Sequence, residues 1–236
     1  MGARITELDW QPTPMGDISL RRRLEPILQV EVYEVRLGEE FLMSSLFTVA
    51  EEQLASLALA RAPSGPLDVV VGGLGLGCTA HAALVDPRVR TLQVVDALAE
   101  VIGWHERGLL PLSAALTQDP RCALVQGDFF ALTLGTGTEQ LPARSHVVLL
   151  DVDHSPRHLL HPRHAPFYAV GGLRRLAGHL HPGGVFGLWS DDPPDDAFLA
   201  VLHEVFTEVT AHVVTFPNHY TGGESANTVY VARTAG

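Results

Sequence analysis

The stretch Val69-Val70-Val71-Gly72-Gly73-Leu74-Gly75-Leu76-Gly77 is where chemistry first becomes legible in this chain. An apolar run gives way to Gly72, Gly73, Gly75 and Gly77. Glycine admits backbone angles that other residues avoid and clears side chains from a ligand's approach, and such a loop aims the next helix N-terminus at the ligand. A plain strand-to-helix turn can look the same. The following strand favours the binding reading. It ends Gln93-Val94-Val95-Asp96, about 20 residues on, where adenosyl and dinucleotide binders place the acid that takes the ribose hydroxyls. Ala97 stands beside it, and capping of the helix that starts there is the alternative role for Asp96. The third strand ends Gln126-Gly127-Asp128-Phe129-Phe130. Asp128 can accept from an adenine amino group and Phe129 can lie against the ring. This pairing of acids favours S-adenosylmethionine, or its decarboxylated form, over NAD. A pyrophosphate would fill the glycine loop in an NAD binder, and no second nucleotide half is evident.

The elements that must carry these residues follow from periodicity. Residues 17–21 and 30–37 alternate polar and apolar, the pattern of half-buried antiparallel strands. Residues 48–62 have helical spacing and stop at Ala62-Pro63-Ser64-Gly65-Pro66. The division expected is an N-terminal β region with its connecting helix over 1–62 and a Rossmann-like domain over 63–236. Apolar strands at 68–72, 90–96, 122–126, 146–151 and 185–189 alternate with helices, among them 164–180 and 194–206. That alternation predicts a mostly parallel sheet. The segments 209–216 and 228–232 follow without a helix between them, which predicts an antiparallel pair at one edge. The fold class expected is α/β, a seven-stranded Rossmann-like sheet with a small β region ahead of it.

Bulk properties narrow the partners. The 236 residues carry a formal charge of −11, so a phosphate backbone is disfavoured and no nucleic acid partner is expected. No uncharged apolar run approaches the ~20 residues of a membrane span, and Met1–Trp10 lacks a signal-peptide pattern. Cys78 and Cys122 have no metal-ligand or framework spacing. A cytoplasmic protein with a small-molecule substrate is expected, with a homodimer kept as the candidate assembly.

With these motifs in place the chain resembles the spermidine synthase (polyamine aminopropyltransferase) family, similar in its core to class I methyltransferases. The resemblance runs from about Glu40 to Arg233. It is carried by Val69–Gly77, Val95-Asp96, Gly127-Asp128, the Asp151 strand end, Phe167-Tyr168 and His181-Pro182-Gly183-Gly184-Val185. It implies the class I methyltransferase fold and an adenosyl sulfonium donor. Gly75 stands where the family has an Asp for the aminopropyl amine. Phe41-Leu42-Met43-Ser44-Ser45 matches the family's Tyr-His-Glu or Tyr-Gln-Glu segment, and residues 221–227 replace a Trp-rich loop. The catalytic Asp-Ser/Thr-x-Asp-Pro loop reads Asp151-Val152-Asp153-His154-Ser155-Pro156. These departures favour methyl transfer to a small, amine-type acceptor. Aminopropyl transfer is the alternative, and a catalytically silent adenosyl-binding or scaffold protein is the alternative from another class.

On the acceptor side, an amine must be neutral to attack a sulfonium, and a nearby carboxylate or imidazole can take its proton. Asp151 is assigned orientation or proton acceptance, with Asp153 or His154 assisting; a solvated loop with a helix cap is the alternative for the latter two. Tyr168, Asp191 and Glu224 are the substrate-binding candidates. For Asp191 and Asp192, ahead of Pro193-Pro194, capping of the next helix is the favoured reading. His154, His158, His161 and His164 are irregularly spaced and interrupted by Pro156 and Pro162. No metal is expected there, and a gate loop over the pocket is favoured.

Overall fold

The computed structural model describes residues 5–136 and 141–236. The N-terminal sheet is an antiparallel meander of β1 (Ile5–Thr13), β2 (Gly16–Leu24), β3 (Glu31–Leu37) and β4 (Glu40–Ser44). It turns Ile18, Leu20, Val32 and Val35 inward, as a half-buried sheet requires. α1 (Val49–Arg61) follows and buries Leu54, Ala55, Ala58 and Leu59. Grouped with the N-terminal strands in the expected division, α1 packs on the second sheet. Ala62 is extended, which ends the helix at Pro63-Ser64-Gly65-Pro66.

The second sheet contains β5 (Leu67–Gly72), β6 (Val89–Asp96), β7 (Cys122–Gln126), β8 (Ser145–Leu150), β9 (Leu180–Ser190), β10 (Glu208–Asn218) and β11 (Gly223–Arg233), in the order β10-β11-β9-β8-β5-β6-β7. Its helices are α2 (Cys78–Val85), α3 (Ala99–Glu106), α4 (Ser113–Thr117), α5 (Phe129–Leu134), α6 (Val170–Gly178) and α7 (Asp196–His203). β5, β6, β7, β8 and β9 are parallel, and β11 runs antiparallel to both β9 and β10. This is the mostly parallel seven-stranded sheet expected. The antiparallel strand is β11, one place in from the edge, and β10 forms the edge. Strand order reverses between β5 and its neighbour β8, so the carboxyl ends of β5, β6, β7 and β8 face one crevice, the usual ligand position in open α/β sheets.

The helix expected over 164–180 is divided. Residues 162–168 form a tight 3-10 segment containing Pro166, Ala169 is extended, and α6 begins at Val170. Proline offers no N–H to an α-helical ladder, so the longer helix cannot form through it. No helix among the described residues is long and apolar enough to cross a membrane.

A polar tie joins the N-terminal sheet to α3. Trp104 of α3 is fully buried and its indole N–H donates to Asp9 of β1 at 2.7 Å, while Arg107 also donates to Asp9. Replacing Asp9 by Ala strands the indole donor. We expect Asp9→Ala to cost about 1–3 kcal/mol, the scale of an unpaired buried donor, measured by urea unfolding. A loss below about 0.5 kcal/mol, as for an ordinary surface change, would contradict this.

Candidate active site

Gly73 fixes the geometry of the crevice. Its φ is +95°, and a Cβ there would stand 2.0 Å from the Asp151 carbonyl oxygen. The glycine loop after β5 therefore lies directly on the end of β8, held by Gly73 N–H to Val95 O (2.9 Å) and Asp151 N–H to Gly72 O (2.8 Å). Farther along, Gly75 has φ +46°, and a Cβ there would meet the Met43 sulfur at 2.6 Å. The thioether of the N-terminal sheet thus occupies the place a side chain at 75 would need. Beneath the loop, fully buried His105 bonds through Nε2 to the Gly75 carbonyl (2.9 Å), so Nε2 carries the proton. Its Nδ1 has no partner among the described residues. Burial holds the His105 imidazole below the usual histidine range, against the opposing pull of that bond.

Two adjoining cavities result. The smaller, about 100 Å³, is lined by Gly73, Gly75, Asp96, Ala97, Asp128, Phe129, Arg163 and His164, among others. Asp96 accepts from Leu74 N–H (2.9 Å) and Leu98 N–H (2.9 Å), which steadies both the loop and the α3 entrance. Burial raises its carboxyl above the usual range, against the N–H groups of Leu98, Leu74 and Gly75. Asp128 caps α5 through Phe130 N–H (3.0 Å) and Ala131 N–H (3.1 Å) and pairs with Arg163 at 3.3 Å. Phe129 is 3% exposed and packs beneath Gly72.

The larger cavity, about 450 Å³, is lined by Glu51, Gly75, Gly77, Cys78, Asp151, His154, Trp189, Asp191 and Asn227, among others. Asp151 accepts from the Thr79 hydroxyl at 2.6 Å. Burial pushes its carboxyl up to about 6, opposed by the Thr79 bond. Glu51 reaches the same cavity from the first turn of α1, and burial first, then the Asp151 charge, push it up to about 8. Burial and these acids drive the Cys78 thiol up to about 12, which rules it out as a thiolate nucleophile near neutral pH. No Lys or Arg lines this cavity among the described residues.

Sequence reasoning missed Glu51. It sits in a helical stretch with Glu52, and only the packing of α1 against the crevice separates the two. Other candidates lie elsewhere. Asp153 and Tyr168 are buried together, joined by a 2.9 Å bond, and neither lines the larger cavity. Leu160 N–H and His164 turn the Asp153 carboxylate inward, so it does not assist Asp151 directly. Glu224 pairs with Pro217 on the β10–β11 hairpin and is exposed, outside the lining that Ser225, Ala226 and Asn227 supply. Asp191 does line it, accepting from Asn227 Nδ2 at 2.7 Å. The cap of α7 falls to Asp195, accepting from Ala197 N–H at 2.9 Å, because the two prolines hold Asp191 and Asp192 too far ahead of Asp196. Each histidine of the expected gate has its own partner. His154 meets Glu40 (3.0 Å), His158 meets Asp192 (3.2 Å), His161 caps the 3-10 segment and His164 meets Asp153 (2.8 Å).

The raised Glu51 carboxyl has a consequence for stability. Between the ordinary carboxylate range and about 8, the folded chain keeps a proton that the unfolded chain has released, so stability falls as pH rises through that window. We expect Glu51→Gln to remove this penalty, raising the melting temperature more at pH 8 than at pH 5. An equal shift at both values would show that Glu51 titrates normally.

No protein-family model matches the chain. Several solved structures share its fold. A spermidine synthase in complex with the transition-state analogue AdoDATO aligns with TM-score 0.75 and 16% identity over 97% of this chain and 74% of that one. The spermidine synthase from Thermotoga maritima aligns with TM-score 0.74 and 16% identity, over 97% and 73%. Human methyltransferase-like protein 13, in complex with SAH, aligns with TM-score 0.53 and 20% identity, over 79% and 78%. The fold is therefore that of spermidine synthases, with the core of a class I methyltransferase.

Proposed function

We propose that this chain is a transferase that uses S-adenosylmethionine and methylates a small amine. The observation that carries the reading is the junction of the two cavities at Gly75 and Asp151. Asp96, Ala97 and Asp128 would hold the nucleoside in the smaller one. When bound, the donor supplies an electrophilic carbon on a sulfonium whose sulfur leaves as a neutral thioether. The chain's own residues must bring a neutral amine to that carbon and collect its proton. Asp151 is suited to collecting it, because burial lifts its carboxyl toward neutrality while Thr79 fixes its orientation. Asp191 and Glu51 would orient the acceptor. The similar structures carry an adenosyl transition-state analogue and SAH, which supports an adenosyl donor here.

The donor's tail selects the transferred group. An intact donor carries a carboxylate, and the glycine loop keeps no acid at position 75 to oppose it. Gly77, the cap residue of α2, has no side chain to occupy the helix N-terminus, a favourable place for a carboxylate. Glu51, protonated near neutral pH, adds no charge. One observation favours the second reading, aminopropyl transfer from the decarboxylated donor: the cavity wall holds Asp151 and Asp191 with no cation among the described residues.

Two binding measurements test this. Calorimetry is expected to give micromolar binding of S-adenosylmethionine or methylthioadenosine, weakened in Asp96→Ala by about 1.5–3 kcal/mol, the scale of hydrogen bonds to a charged group. Failure of every adenosyl thioether to bind the unmodified chain would end the reading. In side-by-side titration the intact donor is expected to bind more tightly than the decarboxylated one by about 1 kcal/mol or more. The reverse order would make aminopropyl transfer the better account.

A further inference from the structure

Asp153, His164 and Tyr168 form a buried group that the transfer chemistry leaves unused. Asp153 is 1% exposed and accepts from Leu160 N–H (2.7 Å), the Tyr168 hydroxyl (2.9 Å) and His164 Nδ1 (2.8 Å). A carboxylate only accepts, so the proton between Asp153 and the imidazole belongs to Nδ1. Burial, and then the Asp153 charge, hold the Tyr168 phenol well above its usual value, which keeps it a donor. With that proton on Nδ1, the neutral imidazole leaves Nε2 as its unprotonated nitrogen. Nε2 is then a lone-pair acceptor. It makes no hydrogen bond among the described residues, and His164 lines the smaller cavity. Phe130 stacks on the ring at 3.9 Å and 17°, so the ring plane is fixed as well as its tautomer.

Asp128, the residue that the sequence assigns to the adenine amino group, already has a partner at each carboxylate oxygen. One oxygen caps α5 and the other faces Arg163. His164 Nε2 is a second acceptor in that cavity, with no donor among the described residues. We propose that His164 reads the base of the bound nucleoside, its Nε2 accepting a hydrogen bond from an exocyclic amine, with Asp153 and Tyr168 as positioning residues. This rests on the smaller cavity being the nucleoside pocket. It gives Asp153 and Tyr168 a part in recognition and removes them from the transfer step. A site built to accept from an amine rejects a base carrying a carbonyl there, because two acceptors then face each other.

The test is calorimetry with 5′-methylthioadenosine and 5′-methylthioinosine, which differ in the exocyclic amine against a carbonyl and at N1, an acceptor in the first and an N–H donor in the second. The unmodified chain is expected to prefer the amine form about tenfold or more, the scale of one buried acceptor left unpaired. His164→Asn keeps an amide N–H for Asp153 but reaches nothing at the Nε2 position, so the two ligands should bind it about equally. His164→Gln places an amide oxygen near that position and should restore part of the preference. A purely structural role for His164 would weaken both ligands together and leave their ratio unchanged. An unchanged ratio in His164→Asn, or equal binding by the unmodified chain, overturns the inference and leaves the proposed function standing. If neither ligand binds the unmodified chain, both fall. Should the variants not fold, the imidazole ¹⁵N spectrum of the unmodified chain decides. The Nε2 resonance of His164 should shift with methylthioadenosine, and an unmoved resonance overturns the proposal.

Discussion

A side chain at residue 73 would collide with the Asp151 carbonyl, at 2.0 Å from its Cβ, and the crevice is organised around that exclusion. Because β5 ends flush on β8, the glycine loop turns over Asp151 and cannot move away from it. Asp96 at the end of β6 and Asp128 after β7 then line the smaller cavity, Glu51 and Asp191 line the larger, and Asp151 lines both. Val95 and Gly72 donate no side-chain chemistry, yet their carbonyls hold the two backbone bonds that keep the loop down.

The acids gathered on the larger cavity wall are costly to the folded chain. Burial raises the proton affinity of both Glu51 and Asp151, and the Asp151 charge raises that of Glu51 further. Nothing in the packing requires three acids there, since α1 reaches the core through Leu54, Ala55 and Ala58. Perturbed carboxyls concentrated in a cleft are a common mark of a functional site.

Much of this is legible in the sequence alone. Gly72–Gly77, Asp96 and Asp128 announce themselves because strand ends and turn residues are local signals, and the alternation of strands and helices fixes the sheet class. Three things are not legible there. Glu51 hides in an ordinary helical stretch, since its exposure depends on which face of α1 meets the crevice. Asp153 looks equivalent to Asp151 two residues earlier, but the loop turns between them and buries one against His164. The break at Ala169 depends on Pro166 within an otherwise helical pattern. Position along the chain says where a carboxylate is, and only the packed structure says which way it points.

His105 holds the glycine loop from beneath. Its ring supports the Gly75 carbonyl in the neutral state, and its second nitrogen has no partner among the described residues. As pH falls through the histidine range, the unfolded chain takes up a proton more readily than the buried ring does, so the cost appears as a loss of stability of the whole fold. The loop backbone at Gly75 is thus propped by a ring whose protonation the fold itself opposes.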